Sequence, residues 1–187
     1  MSSVVIAGDT SGTVTLAAPA VAGTTTLTLP STSGTVLTSA NTFGAGTGPA
    51  FSAYLSSNQT ISDAVATKIT CQTEEWDTNS NYDNATNYRF TPTVAGYYQA
   101  NGMASISQTT QVDTTIWIYK NGSAWKRGFG ITITSSSKQQ LVVSCLVYLN
   151  GSSDYIELYG YSDGTGNATI NSDVTTTYFQ AFLARAA

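Results

Sequence analysis

The sequence predicts an all-β protein, and three features point there. Charged side chains make up only 10% of the 187 residues while Thr, Ser and Gly abound, which leaves few long polar side chains to coat helices. Tyr, at 11, outnumbers Phe (6) and Trp (3) together, as suits strands whose rings sit half in a core and half in water. Short alternating apolar segments follow one another between Gly, Pro and Asn-Gly turn signals, the pattern of a sandwich or jelly roll. The chain is long enough for one ordinary domain plus an extension, with a real core.

Several function classes drop out at this level. A net charge of -4 without any basic stripe argues against nucleic acid as a partner. The longest nearly apolar run, Leu141 to Leu149, is about half of what crosses a bilayer and is interrupted by Ser144, so no membrane insertion is expected. Residues Met1 to Ile6 carry no basic region and no long apolar stretch, so no classical signal peptide is expected. The chain has no histidine, which removes Ser-His-Asp and Cys-His catalysis and most zinc chemistry. Cys71 and Cys145 match no metal spacing and read as buried small hydrophobes in strand-like runs. Glu74, Glu75, Asp77 and Asp83 fall in one loop and Glu157 in a late strand, but nothing fixes a pair at the separation glycoside hydrolysis needs. The same acids with Asp163 and Asn167 follow no EF-hand spacing. The expectation is therefore no enzyme, no cofactor and no metal. Trp76, Trp125 and Tyr161 are candidates for stacking on sugars, with ordinary packing as the alternative.

From the N-terminus, Gly12-Thr13, Gly23-Thr24 and Gly34-Thr35 recur every eleven residues, and Pro19 and Pro30 keep the same period. Between each Gly and the next Pro the chain alternates: Val14 and Leu16 share one face, Leu27 and Leu29 do so in the second copy, and Thr takes the other face. Each unit reads as a short strand followed by a Pro turn. Three such strands bury too little to stand alone. A Thr/Ser/Gly-rich linker is one reading. An arm ordered by pairing with its own copies or a larger assembly is the other, and regular apolar alternation favours it. Ser11 to Leu16, Ala22 to Pro30 and Ser33 to Leu37 together resemble a repeat-bearing N-terminal segment of bacteriophage tail-fibre and other virion proteins. That resemblance implies anchoring through Val14, Leu16, Leu27 and Leu29. Asn41 to Pro49 is Gly/Thr-rich without periodicity, so the boundary is placed there: an arm over 1–48 and a head over 49–187.

In the head, Phe51 to Leu55 and Ala66 to Gln72 read as strands, and Thr73 to Asn87 as a polar excursion or short strand. Tyr88 to Tyr98 forms a corner. Tyr88 and Phe90 alternate, Pro92 limits the ladder, and Gly96 supplies a positive φ or a close approach before the next strand, which continues to about Ser107. Thr114 to Lys120 alternates, and Asn121-Gly122 is the strongest hairpin signal in the chain. Ser123 to Thr134, Gln139 to Leu149, Tyr155 to Tyr161 and Thr177 to Ala184 complete the set, with Asn150-Gly151 and Asp163-Gly164 as further turns.

From about Pro49 onward the sequence resembles the C1q/tumour-necrosis-factor-like family. The residues that carry the likeness are Ala50 to Ser57, Asn81-Tyr82-Asp83 ahead of the Phe-x5-Gly-x-Tyr spacing of Phe90, Gly96 and Tyr98, Ile118 to Gly122, and Tyr178 to Leu183. It departs from the family pattern at Ala100, where an aromatic is usual, and at Ala181, where Gly is usual. The resemblance implies a ten-stranded jelly-roll sandwich that assembles as a homotrimer, with Tyr98, Tyr178 and Phe182 as candidates for its interface. The alternative for Tyr98 and Phe182 is that both rings fill the subunit core. The last strand is apolar on both faces, and such a strand is covered on both, one cover being available from a neighbouring subunit. The resemblance also places Cys71 and Cys145 at opposite edges of one five-stranded sheet, roughly 19 Å apart by strand spacing. That is beyond disulfide reach, so free thiols are expected.

Together these readings predict a non-enzymatic bacteriophage surface protein. It would be made in the host bacterial cytoplasm and carried on the virion as a trimeric short fibre, spike or capsid-decoration knob. Its arm would contact other virion proteins of capsid or tail, and its head a host-surface glycan or protein. The alternative is a secreted bacterial C1q-like module that binds a carbohydrate or protein.

Overall fold

The computed structural model describes residues 3–7, 10–17, 24, 48–108, 111–132 and 137–187. The chain divides into two compact units, Met1–Thr38 and Ser39–Ala187. In the first, β1 (Ser3–Ala7) pairs antiparallel with β2 (Thr13–Ala17), placing Ile6 opposite Val14 and Val4 opposite Leu16. β2 is the expected strand of the first repeat. β1 precedes the repeats and has no counterpart in the sequence reading, because Val4-Val5-Ile6 is apolar without alternation. Leu27 and Leu29 lie outside the described residues.

Among its described residues the second unit has ten strands of three residues or more, matching the ten expected. They are β3 (Ala50–Tyr54), β4 (Gln59–Ile61), β6 (Thr73–Asp77), β9 (Ala95–Gln108), β10 (Gln111–Lys120), β11 (Ser123–Ile131), β12 (Ser137–Asn150), β13 (Ile156–Gly164), β14 (Ala168–Ile170) and β15 (Tyr178–Ala186). Three two-residue strands join them: β5 (Thr67–Lys68), β7 (Tyr82–Asp83) and β8 (Arg89–Phe90). Two antiparallel sheets result. One, the β9 sheet, runs β12-β9-β15-β3-β6, with β14 beside the far end of β9 and β4 beyond it. The other, the β13 sheet, runs β11-β10-β13-β8-β7, with β5 also on β13.

Period-two alternation builds the core between them. β9 turns Tyr98, Ala100, Ala104 and Ile106 inward; β10 contributes Ile116 and Ile118, and β13 contributes Ile156 and Leu158, all fully buried. The small inward residues of β9 make room for the opposite sheet, since a Cβ on Gly102 would meet Leu158 Cδ1 at 2.4 Å. Ala100, the departure from the resembled family, belongs to this small run. At one end an aromatic group staples the sheets. Phe51 of β3 stacks on Tyr82 at 4.5 Å and on Phe90 at 4.7 Å, and meets Phe179 of β15 edge-on at 5.0 Å. Tyr82 donates its hydroxyl proton to Cys71 O at 3.0 Å, so its polar tip is satisfied inside.

The corner at 88–98 differs in detail from expectation. The positive φ belongs to Tyr88, at 49°, and not to Gly96. Gly96 takes the other role expected of it, close approach, because a Cβ there would meet Arg185 O at 2.5 Å. The expected strand over 66–72 is also corrected. Ile69 N donates to Leu158 O at 2.8 Å, after which the chain leaves the β13 sheet and enters the β9 sheet at β6. One segment serving two sheets cannot stay in one ladder. The Asp163-Gly164 turn falls later, because β13 runs on through Gly164 and the positive φ appears at Gly166. Asn121-Gly122 does join β10 to β11, with φ of 52° and 75°, the hairpin geometry its sequence favours.

Cys145 lies on β12 and Cys71 just before β6, the two outer strands of the five-strand series, and both thiols are free. Burial pushes the Cys71 thiol up to about 12. The native protein should therefore react with a maleimide at Cys145 before Cys71, as read by mass spectrometry of timed samples. Equal labelling of both would contradict the placement of Cys71.

Two substitutions test the packing. Phe51→Ala removes the ring common to three contacts and should cost about 3–5 kcal/mol in urea unfolding. On the outer face of the β13 sheet, Lys68 Nζ lies 2.5 Å from Glu157 Oε1, and Glu157 is only 3% exposed. Lys68→Met strands that carboxylate and should cost about 3–5 kcal/mol, with most of the loss recovered in Lys68→Met/Glu157→Leu.

Candidate functional site

The outer face of the β9 sheet is the most unusual surface among the described residues. Strand register aligns its outward side chains into rows. Leu146, Gln99 and Phe182 form one; Ser144, Asn101 and Gln180 the next; Val142, Met103, Tyr178 and Tyr54 a third. Tyr148 and Tyr97 lie together beyond Leu146, their rings 5.5 Å apart. Large apolar side chains stand open here: Leu146 is 58% exposed, Val142 53%, Tyr97 48% and Phe182 48%. Apolar residues exposed singly need no explanation, but a contiguous group on one sheet face does.

Two of the three residues in the polar row, Ser144 and Asn101, bond one another and Gln99 of the adjoining row. Gln99 Nε2 donates to Ser144 Oγ at 2.8 Å and to Asn101 Oδ1 at 3.1 Å. Ser144 Oγ donates to the same Asn101 Oδ1 at 2.8 Å. Nearby, Ser52 Oγ donates to Glu75 Oε2 at 2.7 Å. Groups bonded in this way can be covered without being orphaned, which lowers the cost of burying that part of the face.

The residues expected at an interface are only partly brought together. Phe182 and Tyr178 both lie on this outer face, in the two rows that flank the polar one. Tyr98 does not: it is 0% exposed, packs edge-on to Phe90 at 5.6 Å, and donates its hydroxyl proton to Val94 O at 2.7 Å. Its ring is core and is withdrawn from the interface candidates. Val14 and Leu16 lie on β2 of the other unit. Val142, Leu146, Tyr148 and Tyr97 were missed. A signal for the first three was present, since Leu141 to Leu149 is apolar at both parities, the property that singled out the last strand.

Asp77 and Asp83, two of the acids expected in one loop, are held by local hydrogen bonds. Asp77 Oδ2 accepts from Tyr82 N at 2.7 Å. Asp83 accepts from Thr86 N at 2.8 Å, Ala85 N at 3.1 Å and Asn87 Nδ2 at 2.6 Å. Among the described residues no group of three or more Cys, Asp or Glu is placed to hold a metal ion. Trp76, Trp125 and Tyr161 are also separate, on β6, β11 and β13, with the Trp125 ring flanked by Lys126 Nζ at 5.2 Å and Lys120 Nζ at 5.8 Å.

No protein-family model matches the sequence, and no curated protein matches it. Solved structures do match the fold. The globular domain of zebrafish complement 1qA protein superposes on 74% of this chain and 99% of its own, with a TM-score of 0.52 and 16% identity. Murine APRIL at pH 5.0 covers 73% of this chain and 98% of its own, with a TM-score of 0.55 and 10% identity. The vertex protein P5 of PRD1 covers 75% and 99%, with a TM-score of 0.50 and 16% identity. The chain therefore carries a C1q/TNF-like jelly roll, preceded by the β1-β2 hairpin.

The bonds to Asp83 make a pH prediction. The Thr86 amide, helped by Asn87 and Ala85, lowers its carboxyl from 3.8 to about 2. A depressed carboxylate stabilises the fold fully above its unfolded value, and that contribution is lost as pH falls through the folded one. Asp83→Asn should therefore flatten the fall in thermal midpoint between pH 3.8 and about 2, as measured by circular dichroism. An unchanged slope would show that other groups govern that range.

Proposed function

We propose that this chain is a non-enzymatic bacteriophage virion surface protein whose jelly-roll head assembles as a homotrimer. The observation that carries the reading is the exposed apolar face of the β9 sheet, on which Gln99, Ser144 and Asn101 already bond one another, as suits a subunit contact. The structural likeness to a vertex protein of PRD1 supports the virion setting, and the local hydrogen bonds that hold Asp77 and Asp83 support a binding rather than a catalytic role. In this reading residues 1–48 form the arm that attaches to capsid or tail proteins, using Val14, Leu16, Leu27 and Leu29. Residues 49–187 form the head, which decorates the particle as a short spike or knob and contacts the host surface. Phe182 and Tyr178, joined by Leu146 and Val142, lie in the subunit contact.

Sedimentation of the full chain should give three times 19.6 kDa. Leu146→Asp places a charge on the open face without touching the core. It should shift the species toward 19.6 kDa while leaving the strand signal in circular dichroism intact. A wild-type mass of one chain would overturn the trimer. Gold-labelled antibody against the chain should decorate intact particles, and label confined to the medium after export from uninfected cells would replace the virion reading with a secreted one.

A further inference from the structure

The outer face of the β13 sheet carries a groove of about 320 Å³ that the trimer contact does not use. Its wall is built by alternation on β10: Thr114, Ile116 and Ile118 point into the core, so Asp113, Thr115, Trp117 and Tyr119 point out. Tyr161 of β13 enters from the neighbouring strand, opposite Thr115, and Arg127 of β11 from the other side, opposite Trp117. The rings of Trp117, Tyr119 and Tyr161 are half-buried, so each presents an edge or face to the opening.

Arg127 is seated, not loose. Its Nε donates to Thr115 Oγ1 at 3.2 Å, its Nη2 lies 3.2 Å from Asp113 Oδ2, and its guanidinium sits 5.4 Å from the Trp117 ring centre. Gly130 leaves the space it occupies, because a Cβ there would come within 2.9 Å of Arg127 Nη2. Tyr119 is likewise held, stacked on Tyr159 at 3.8 Å with 11° between planes. Yet Arg127 and Asp113 are 48% and 40% exposed at their side chains. An ion pair that open contributes little to stability, so its donors and acceptors stay available to a ligand.

We infer that this groove binds a neutral saccharide, the pyranose face lying on the aromatic wall and adjacent hydroxyls bridging Asp113 and Arg127. The two lining charges, Asp113 and Arg127, cancel, and Asp163 beside Tyr161 adds a negative charge at the rim, which disfavours an anionic ligand. A guanidinium fork beside a carboxylate offers a donor and an acceptor side by side, and neighbouring sugar hydroxyls, each donor and acceptor, match that pair. The volume stands at the small end of ligand pockets, suited to a terminal sugar rather than a folded partner. Held rings and a seated arginine reduce what ligand binding must order. The inference deepens the surface-module reading and rests on it for its biological setting.

The test uses the full-length chain and methyl glycosides of glucose, galactose, mannose, rhamnose and N-acetylglucosamine, with methyl glucuronide as the charged comparison. Saturation-transfer NMR should show transfer to at least one neutral glycoside through its ring protons. Asp113→Asn and Arg127→Gln, both surface changes, should each weaken that binding by about tenfold, as expected for losing a charge-assisted hydrogen bond. Gly130→Ala should weaken it by displacing Arg127, while Trp125→Ala, an exposed ring elsewhere on β11, should leave it unchanged. Transfer to no neutral glycoside, to the glucuronide alone, or equally in wild type and the Asp113 and Arg127 variants would overturn the inference. Sedimentation and particle labelling are read on separate samples, so failure of the groove is distinguishable from failure of the trimer or virion reading.

Discussion

Everything in the larger unit depends on the ring of Phe51. It sits on β3 of one sheet and stacks on Tyr82 and Phe90, which belong to two-residue strands of the other. Strands that short form almost no ladder, so backbone hydrogen bonding cannot hold β7 and β8 in place. Aromatic stacking does it instead, and the geometry is selective because offset and edge-on rings are favoured over other contacts. Phe179 meets the same ring from β15 and ties in the C-terminal strand beside β9. With this end closed, the sandwich has a fixed interior, and the identity of each outer face follows from which parity of each strand the interior takes.

The interior uses one parity of each long strand, so each sheet is left with a second set of side chains to spend outward. On β10, β11 and β13 that set is aromatic and charged and includes internal pairs, as in Tyr119 on Tyr159 and Arg127 on Asp113. On β12, β9 and β15 it is largely aliphatic and aromatic, with Gln99, Ser144 and Asn101 bonded to one another. β11 and β12 also come close together, since a Cβ on Gly128 would meet Val142 O at 2.4 Å. The molecule thus has two chemically distinct faces joined along a tight seam.

Much of this was legible in the sequence, for local reasons. Asn121-Gly122 announces its hairpin because few residue pairs tolerate two positive φ values in a row. Phe90, Gly96 and Tyr98 mark the corner because Pro92 between them ends a ladder. What stayed hidden was long-range. Whether an apolar parity faces core or solvent depends on which strands flank it, so Tyr98 and Phe182, both aromatic on alternating strands, could not be separated until register placed one inside and one out. The groove residues Asp113, Trp117, Arg127 and Tyr161 come from three strands, and only cross-strand register assembles them. Tyr161 alone had drawn notice as a stacking candidate. The crossing of 69–72 between sheets was invisible for the same reason, since Ile69 and Cys71 read as one alternating strand while serving two ladders.

The two outer faces of a sandwich point in opposite directions, and this constrains how assembly and recognition combine. Covering the β9 sheet with neighbouring subunits leaves the β13 sheet facing solvent, because the core of each subunit lies between them. In a threefold arrangement the grooves would then repeat around the outside of the knob and be presented together. A shallow groove with one ion pair and a few rings gives weak binding for any single sugar. Three copies on one rigid body would convert the second and third contacts into intramolecular events and multiply affinity without a new interaction. A small, open site is sufficient in such a setting, and a deep one is unnecessary. Under the proposed assembly the fold would keep its exposed apolar face for self-contact and its groove for the outside.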